Sequence, residues 1–314
     1  MYGVNGKKFQ RQYKNSISDF KSWEQKPHAE DWILYPENIS EQLSLDEVAL
    51  SDGELYTVLT SKKAKGRKGS IIAIIKGTKS DTVIEYLFKI GRKLRKQVKE
   101  TTLDMAGSMK LIAKRVFPNA VQVIDRFHVQ KLATEALQDI RIHHRWEAID
   151  HENNLLTEAK QNQQKPVIEI FENGDTRKQL LARSRYLLYK SREKWTITQK
   201  QRAEILFSQY PDLEKAHHLT DGLRKIYNQK IIKSVAMLKL AHWFKEVEES
   251  EFKSFSIVLK TFMYHYNDIL NYFDQRSTNA SAESFNAKIK NFRMQLRGVK
   301  DKTFFLFRLS KIFA

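Results

Sequence analysis

The sequence predicts an α/β protein: a mixed sheet with helices on its faces, a large all-helical insertion, and a C-terminal helix. Three observations predict it. Residues 41–130 alternate β-branched and aromatic runs with stretches of helical periodicity. From 128 onward the pattern is helical almost throughout, with long amphipathic segments between about 178 and 273. Residues 277–314 then form a strongly periodic helical stretch. The expected boundaries are an N-terminal extension or linker at 1–40, a first core part at 41–130, a helical insertion at 131–273, and core helices at 274–314.

In chain order, residues 1–40 are polar and irregular, with Trp23 and Trp32 as anchors onto a larger body. SLDEVALSDGELYTVLT, residues 44–60, reads as two strands around an SDGE turn in which Gly53 is free to take positive φ. SIIAIIKG is a third strand. KKAKGRKG, residues 62–69, lies between strand-like runs as an exposed basic hairpin loop. Val83, Leu87, Ile90 and Leu94 give helical spacing over 81–97. A short strand at about 98–103 ends at Asp104. A helix carrying Met109, Ile112, Ala113 and Val116 stops at Pro118, and AVQVID, 120–125, is another strand. Three antiparallel strands followed by two helix–strand units indicate a mixed sheet, and β-β-β-α-β-α-β is the strand order of a ribonuclease-H-like core. Folds host many chemistries, so the order alone does not name one.

Composition narrows the partners. Lys and Arg number 55 against 37 acids in 314 residues, a net charge of +18; a folded chain this basic usually meets a polyanion. The basic residues are spread along the chain rather than gathered on one amphipathic helix, which argues against a membrane surface. No apolar run approaches the roughly 20 residues needed to span a bilayer. The N-terminal stretch is polar and basic, unlike a signal peptide. With no cysteine, disulfides, thiolate zinc sites and a cysteine nucleophile are excluded. The expected location is a reducing cytoplasm.

Three acids stand out by position. Asp46 interrupts a strand, where Asp is a poor former and costly to bury alone. Asp104 sits where a strand ends and a helix begins, the edge at which ligands collect in open α/β sheets. Glu283 lies in RSTNASAESFNAKIKNFR, where Phe285, Ile289 and Phe292 form an apolar stripe while Glu283, Asn286, Lys290 and Arg293 share another face. That face would suit a phosphodiester with cations beside it. Phosphodiester cleavage needs an activated nucleophile and a stabilised leaving oxygen, which two magnesium ions about 4 Å apart supply through hard carboxylate ligands. The plainer reading makes Asp46 a turn or edge residue and Glu283 a solvated helix residue.

TTLDMAGSMKLIAKRVFPNAVQVIDRFHVQKLATEAL, residues 101–137, resembles the catalytic block of the ISL-three family of bacterial insertion-sequence transposases. SLDEVALSDGELYTVLT resembles that family's first catalytic strand, and NASAESFNAKIKNFRMQLRG its C-terminal Glu helix. The likeness runs in order over roughly residues 41–314. It implies an Asp-Asp-Glu transposase with Asp46, Asp104 and Glu283 as catalytic residues and ligands of two Mg2+ (or Mn2+) ions. It further implies strand cleavage and strand transfer at terminal inverted repeats, with target DNA as second substrate, and paired copies on DNA. The basic loop (Lys62, Lys63, Lys65, Arg67, Lys68), His128 of DRFH, and Asn286, Lys290 and Arg293 are the expected DNA contacts. For DRFH the functional reading is DNA positioning or outer support of the site by His128, and the alternative is a strand-to-helix cap in which Asp125 holds backbone amides. Trp195 reads as core packing ahead of base stacking, and His143 and His144 as surface residues. Relatives begin with a cysteine zinc element and helix-turn-helix readers, whose pattern this chain lacks. The expectation is a catalytic portion whose reader is lost or encoded separately. Two rivals remain: a non-catalytic DNA-binding remnant, and a metal-dependent nuclease of the same fold.

Overall fold

The computed structural model describes residues 5–51, 53–296 and 298–314. Asp52 of the expected turn lies outside them; Gly53 takes φ +80°. The chain divides into two units, residues 1–125 with 275–314, and residues 126–274.

The first unit is built on a six-stranded sheet: β1 (Trp32–Leu34), β2 (Gln42–Ser51), β3 (Glu54–Ser61), β4 (Ile71–Lys76), β5 (Glu100–Leu103) and β6 (Val121–Ile124), in the order β1-β4-β3-β2-β5-β6. The pairs β1–β4, β4–β3 and β3–β2 are antiparallel; β2–β5 and β5–β6 are parallel. This is the mixed, ribonuclease-H-like sheet that the strand order predicts, with β1 added at one edge. Three residues, Trp-Ile-Leu, are too few to show a period of two, and only pairing with β4 makes them a strand.

Alternation along β2 splits its side chains between two cores. Leu43 and Leu45 join Val83, Leu87, Met109, Ile112 and Val116 on one face. Val48 and Leu50 join Phe285, Ile289, Phe305, Leu306 and Leu309 on the other. The expected 81–97 helix is two, Ser80–Phe88 and Arg92–Gln97, because Gly91 between them is extended at ψ 136°. The C-terminal stretch likewise divides into Ala280–Gln295 and Lys302–Phe313, with Gly298 at φ +101° in the break. Trp23 packs edge-on against Phe307 at 5.5 Å and Trp32 stacks on His28 at 3.5 Å, so the N-terminal residues are held by aromatic contacts.

The second unit is helical. Its longest member, Arg126–Gln161, spans 36 residues, about 54 Å at the α-helical rise. Ala133, Ala136 and Leu137 are buried along it, and Arg141 donates to the Leu181 carbonyl at 3.0 Å. Among the described residues no helix is long and apolar enough to cross a membrane.

Candidate active site

β2 and β5 run parallel, with Ser44 paired to Thr102. Two residues further along each strand come Asp46 and Asp104, on the face of Ser44 and Thr102 by alternation. One register step past Leu103↔Ile124 places Asp104 and Asp125 side by side at the ends of β5 and β6. Three aspartates therefore follow one another across the sheet edge where ligands gather.

Each is held differently. Asp46 is partly buried; its Oδ1 accepts the Glu47 N–H at 2.8 Å and its Oδ2 accepts the Asn286 side-chain amide at 2.7 Å. These bonds offset the cost of a carboxylate in a strand. Asp104 Oδ1 accepts the Ala106 N–H at 2.8 Å, a local turn leading into the Gly107–Val116 helix. Asp125 is 2 % exposed, and its Oδ2 accepts the Asn279 N–H at 2.7 Å.

Glu283 occupies the first turn of the Ala280–Gln295 helix, one turn before Asn286, and is exposed. The helix thus touches Asp46 through Asn286. Among the described residues no group of three or more His, Cys, Asp or Glu side chains is gathered closely enough to hold a metal ion. The donor chemistry of Asp46, Asp104 and Glu283, all hard carboxylate oxygens, fits a magnesium-like cation. Burial first, then the charges of Asp104 and Asp46, push the half-buried Glu47 carboxyl above its ordinary range. Glu47 is an acid of this edge that sequence reasoning missed, although it adjoins Asp46 in the chain.

The expected row of DNA contacts on the Glu283 helix divides. Asn286 is 9 % exposed and engaged with Asp46, while Arg293 donates to the Ala49 and Leu50 carbonyls at 3.2 and 3.3 Å. Both lie against β2, because the Phe285–Ile289 stripe seats the helix there. Lys290 stays exposed.

The basic loop divides too. Lys63, Lys65, Arg67 and Lys68 are exposed, but Lys62 turns inward to Glu100 at 3.0 Å and to the Thr102 hydroxyl. Lys62, expected with the phosphate-tracking set, thus differs from its neighbours in that its ammonium is paired with a buried carboxylate. The loop is also tied to the Glu283 helix, where Lys288 donates to the Gly66 carbonyl at 2.7 Å. Glu100 in turn accepts the Ser277 hydroxyl at 2.8 Å, and the Gln42 side-chain amide donates to Gln275 at 3.1 Å. Gln275, Ser277 and Asn279 are thereby each anchored on the sheet just before the helix begins. A charged residue in the short ETTL strand was the available signal for Glu100.

In the helical unit, His128 lies partly exposed in the first turn of Arg126–Gln161. Trp195 is buried, donating its indole N–H to the Leu187 carbonyl at 2.8 Å beside His217, so it packs rather than presenting a stacking face. His143 is exposed, with Glu147 at 3.3 Å; His144, expected at the surface, is partly buried between Glu147 at 3.1 Å and Asp212 at 2.5 Å.

With this geometry in place, comparison with known proteins identifies the family. The chain is 22% identical over 276 residues to the transposase for insertion sequence element IS1001 of Bordetella parapertussis, covering 87% of this chain and 61% of that relative. It is 25% identical over 190 residues to the transposase for insertion sequence element IS1557 of Mycobacterium tuberculosis (strain CDC 1551 / Oshkosh), covering 60% of this chain and 41% of that one. The chain thus aligns with less than two thirds of the length of these curated relatives. No solved structure matches it. The family model DDE_Tnp_ISL3, described as a transposase, matches residues 43–309, from β2 into the Lys302–Phe313 helix, and the chain belongs to that transposase family.

Proposed function

We propose that this chain cuts DNA at the ends of an insertion sequence and joins the freed 3′ ends to target DNA. One observation carries the reading: Asp46 and Asp104 come level on neighbouring parallel strands, and the helix bearing Glu283 is tied to Asp46 through Asn286. Asp46, Asp104 and Glu283 would hold two Mg2+ or Mn2+ ions, whose Lewis acidity at the scissile phosphate activates the nucleophile and stabilises the leaving oxygen.

The chain's own residues supply the rest. Asn286 fixes the Asp46 carboxylate so that it faces the Glu283 helix. Lys63, Lys65, Arg67, Lys68 and Lys290, exposed on the same unit, contact backbone phosphates and release counterions as they do. Water attacks the phosphodiester at the element's end and the 3′ oxygen leaves as a hydroxyl. That hydroxyl then attacks a target phosphodiester, forming one bond as the other breaks. No covalent link to the protein is required.

The test is a strand-transfer assay with end-labelled terminal-repeat DNA and Mg2+ or Mn2+. Wild-type protein cuts and joins; Asp104→Asn does neither while its DNA affinity stays within about twofold, since phosphate contacts dominate binding. An Asp104→Asn variant that cuts normally overturns the assignment. Cleavage without joining indicates a nuclease, and binding without any metal-dependent turnover indicates a DNA-binding remnant.

A further inference from the structure

We propose that Asp125 is a positioning residue whose buried carboxylate fixes where the Glu283 helix begins; the functional part of this rests on the reading above. Asp125 follows β6, and its N–H donates to the Leu103 carbonyl at 3.3 Å, which holds it level with the end of β5 beside Asp104. Its Oδ2 accepts the N–H of Asn279 at 2.7 Å, across 154 positions of sequence.

Asn279 is the N-cap of Ala280–Gln295. An Asn at that position ordinarily caps the helix with its own side-chain oxygen. Here it makes no such bond: the residue is wholly buried, and neither Oδ1 nor Nδ2 has a hydrogen-bond partner among the described residues. The helix start is therefore not fixed by its own cap. A carboxylate from the sheet grips the cap residue's backbone instead, at the helix end whose dipole favours negative charge. The Asn279 carbonyl accepts the Glu283 N–H at 2.9 Å. Asp125, Asn279 and Glu283 thus form one continuous chain of bonds from the sheet edge to the candidate ligand. The Glu100–Ser277 bond, two residues upstream, holds the same approach segment.

Two variants separate positioning from mere stability. Asp125→Asn keeps an acceptor oxygen at the same reach; Asp125→Ala removes it. Hydrogen exchange reads the tether without any catalysis. In Asp125→Ala, amides 279–284 should exchange at least ~10-fold faster, with β5 and β6 amides unchanged and Asp125→Asn close to wild type. In cleavage assays, the Mn2+ concentration for half-maximal rate should rise about 10–100-fold in Asp125→Ala at unchanged DNA affinity, and far less in Asp125→Asn. Unchanged exchange at 279–284 in Asp125→Ala overturns the proposal, as does equal loss of Mn2+ response in both variants. If Asp125→Ala does not fold, Asp125→Ser, whose hydroxyl falls short of Asn279, takes its place under the same two outcomes. Should the wild-type protein lack cleavage altogether, the proposed function falls, while the exchange data still decide the tether.

Discussion

The side-chain amide of Asn286 donates to Asp46 at 2.7 Å, joining the last part of the chain to its first long strand across 240 positions. The contact is made possible by the apolar seat of the same helix, where Phe285 and Ile289 are almost fully buried against Val48, Leu50, Tyr56 and Val58. Burying each such side chain is worth about 1.5–3 kcal/mol, so packing places the amide and the amide then orients the carboxylate. Asn286→Ala should leave the helix seated and the DNA affinity unchanged, yet lower the single-turnover cleavage rate about 10–100-fold, the usual cost of losing an outer partner of a metal ligand. Labelled-end cleavage measured beside a gel-shift titration checks both halves. An unchanged rate removes Asn286 from the site.

Lys62 and Glu100 form a pair with side chains only 11% and 8% exposed, and Ser277 completes the cluster. Removing one partner of a buried pair strands the other's charge, at a cost of about 3–5 kcal/mol. Lys62→Met should therefore lower stability by that order in urea melts, and Lys62→Met combined with Glu100→Leu should recover most of it. If Lys62→Met is instead as stable as wild type and only loses DNA affinity, Lys62 belongs with its neighbours in the loop.

Those neighbours give the opposite signature. Lys63, Lys65, Arg67 and Lys68 are exposed, so replacing all four by Ala should leave the melt unchanged. The slope of log affinity against log salt should fall by up to about 3–4, near 0.9 per phosphate contact on duplex DNA. Fluorescence anisotropy at a series of salt concentrations reads the slope directly. A slope that does not change means the loop touches no phosphate.

The strands of the core were legible because burial on both faces leaves continuous apolar runs such as IIAIIK, and Asp46 and Asp104 were legible because charge interrupts or ends such runs. Two things were not. The row Glu283, Asn286, Lys290, Arg293 could be placed on one helical face, but periodicity does not say which face meets β2. Only the seating of Phe285 and Ile289 turned Asn286 and Arg293 inward. The bonds from Asp125 to Asn279 and from Glu100 to Ser277 join residues 154 and 177 positions apart. Each residue taken alone looks like an ordinary polar side chain, and the pairing exists only once β5, β6 and the return segment are brought together.

His217 sets a pH dependence in the helical unit. It is fully buried beside Trp195 and Phe207, and its Nε2–H donates to the Lys190 carbonyl at 3.0 Å. Burial lowers its pKa below the ordinary value near 6.5, and the positive charges of Arg192 and Arg224 act in the same direction. The Lys190 bond and Asp221 oppose the shift without reversing it. The folded state therefore holds His217 neutral in a range where the unfolded chain already takes up a proton. The unfolded state binds more protons there, so stability rises with pH. The contribution is complete above about pH 6.5 and is lost as pH falls from there towards the lowered folded value, by at most about 1.4 kcal/mol per pH unit. Urea melts at pH 7.5, 6.5 and 5.5 should show this loss in the wild-type chain and a smaller one in His217→Gln, which cannot titrate. Equal slopes in the two proteins would mean that other groups carry the pH dependence and that the neutral His217 imidazole contributes nothing to it.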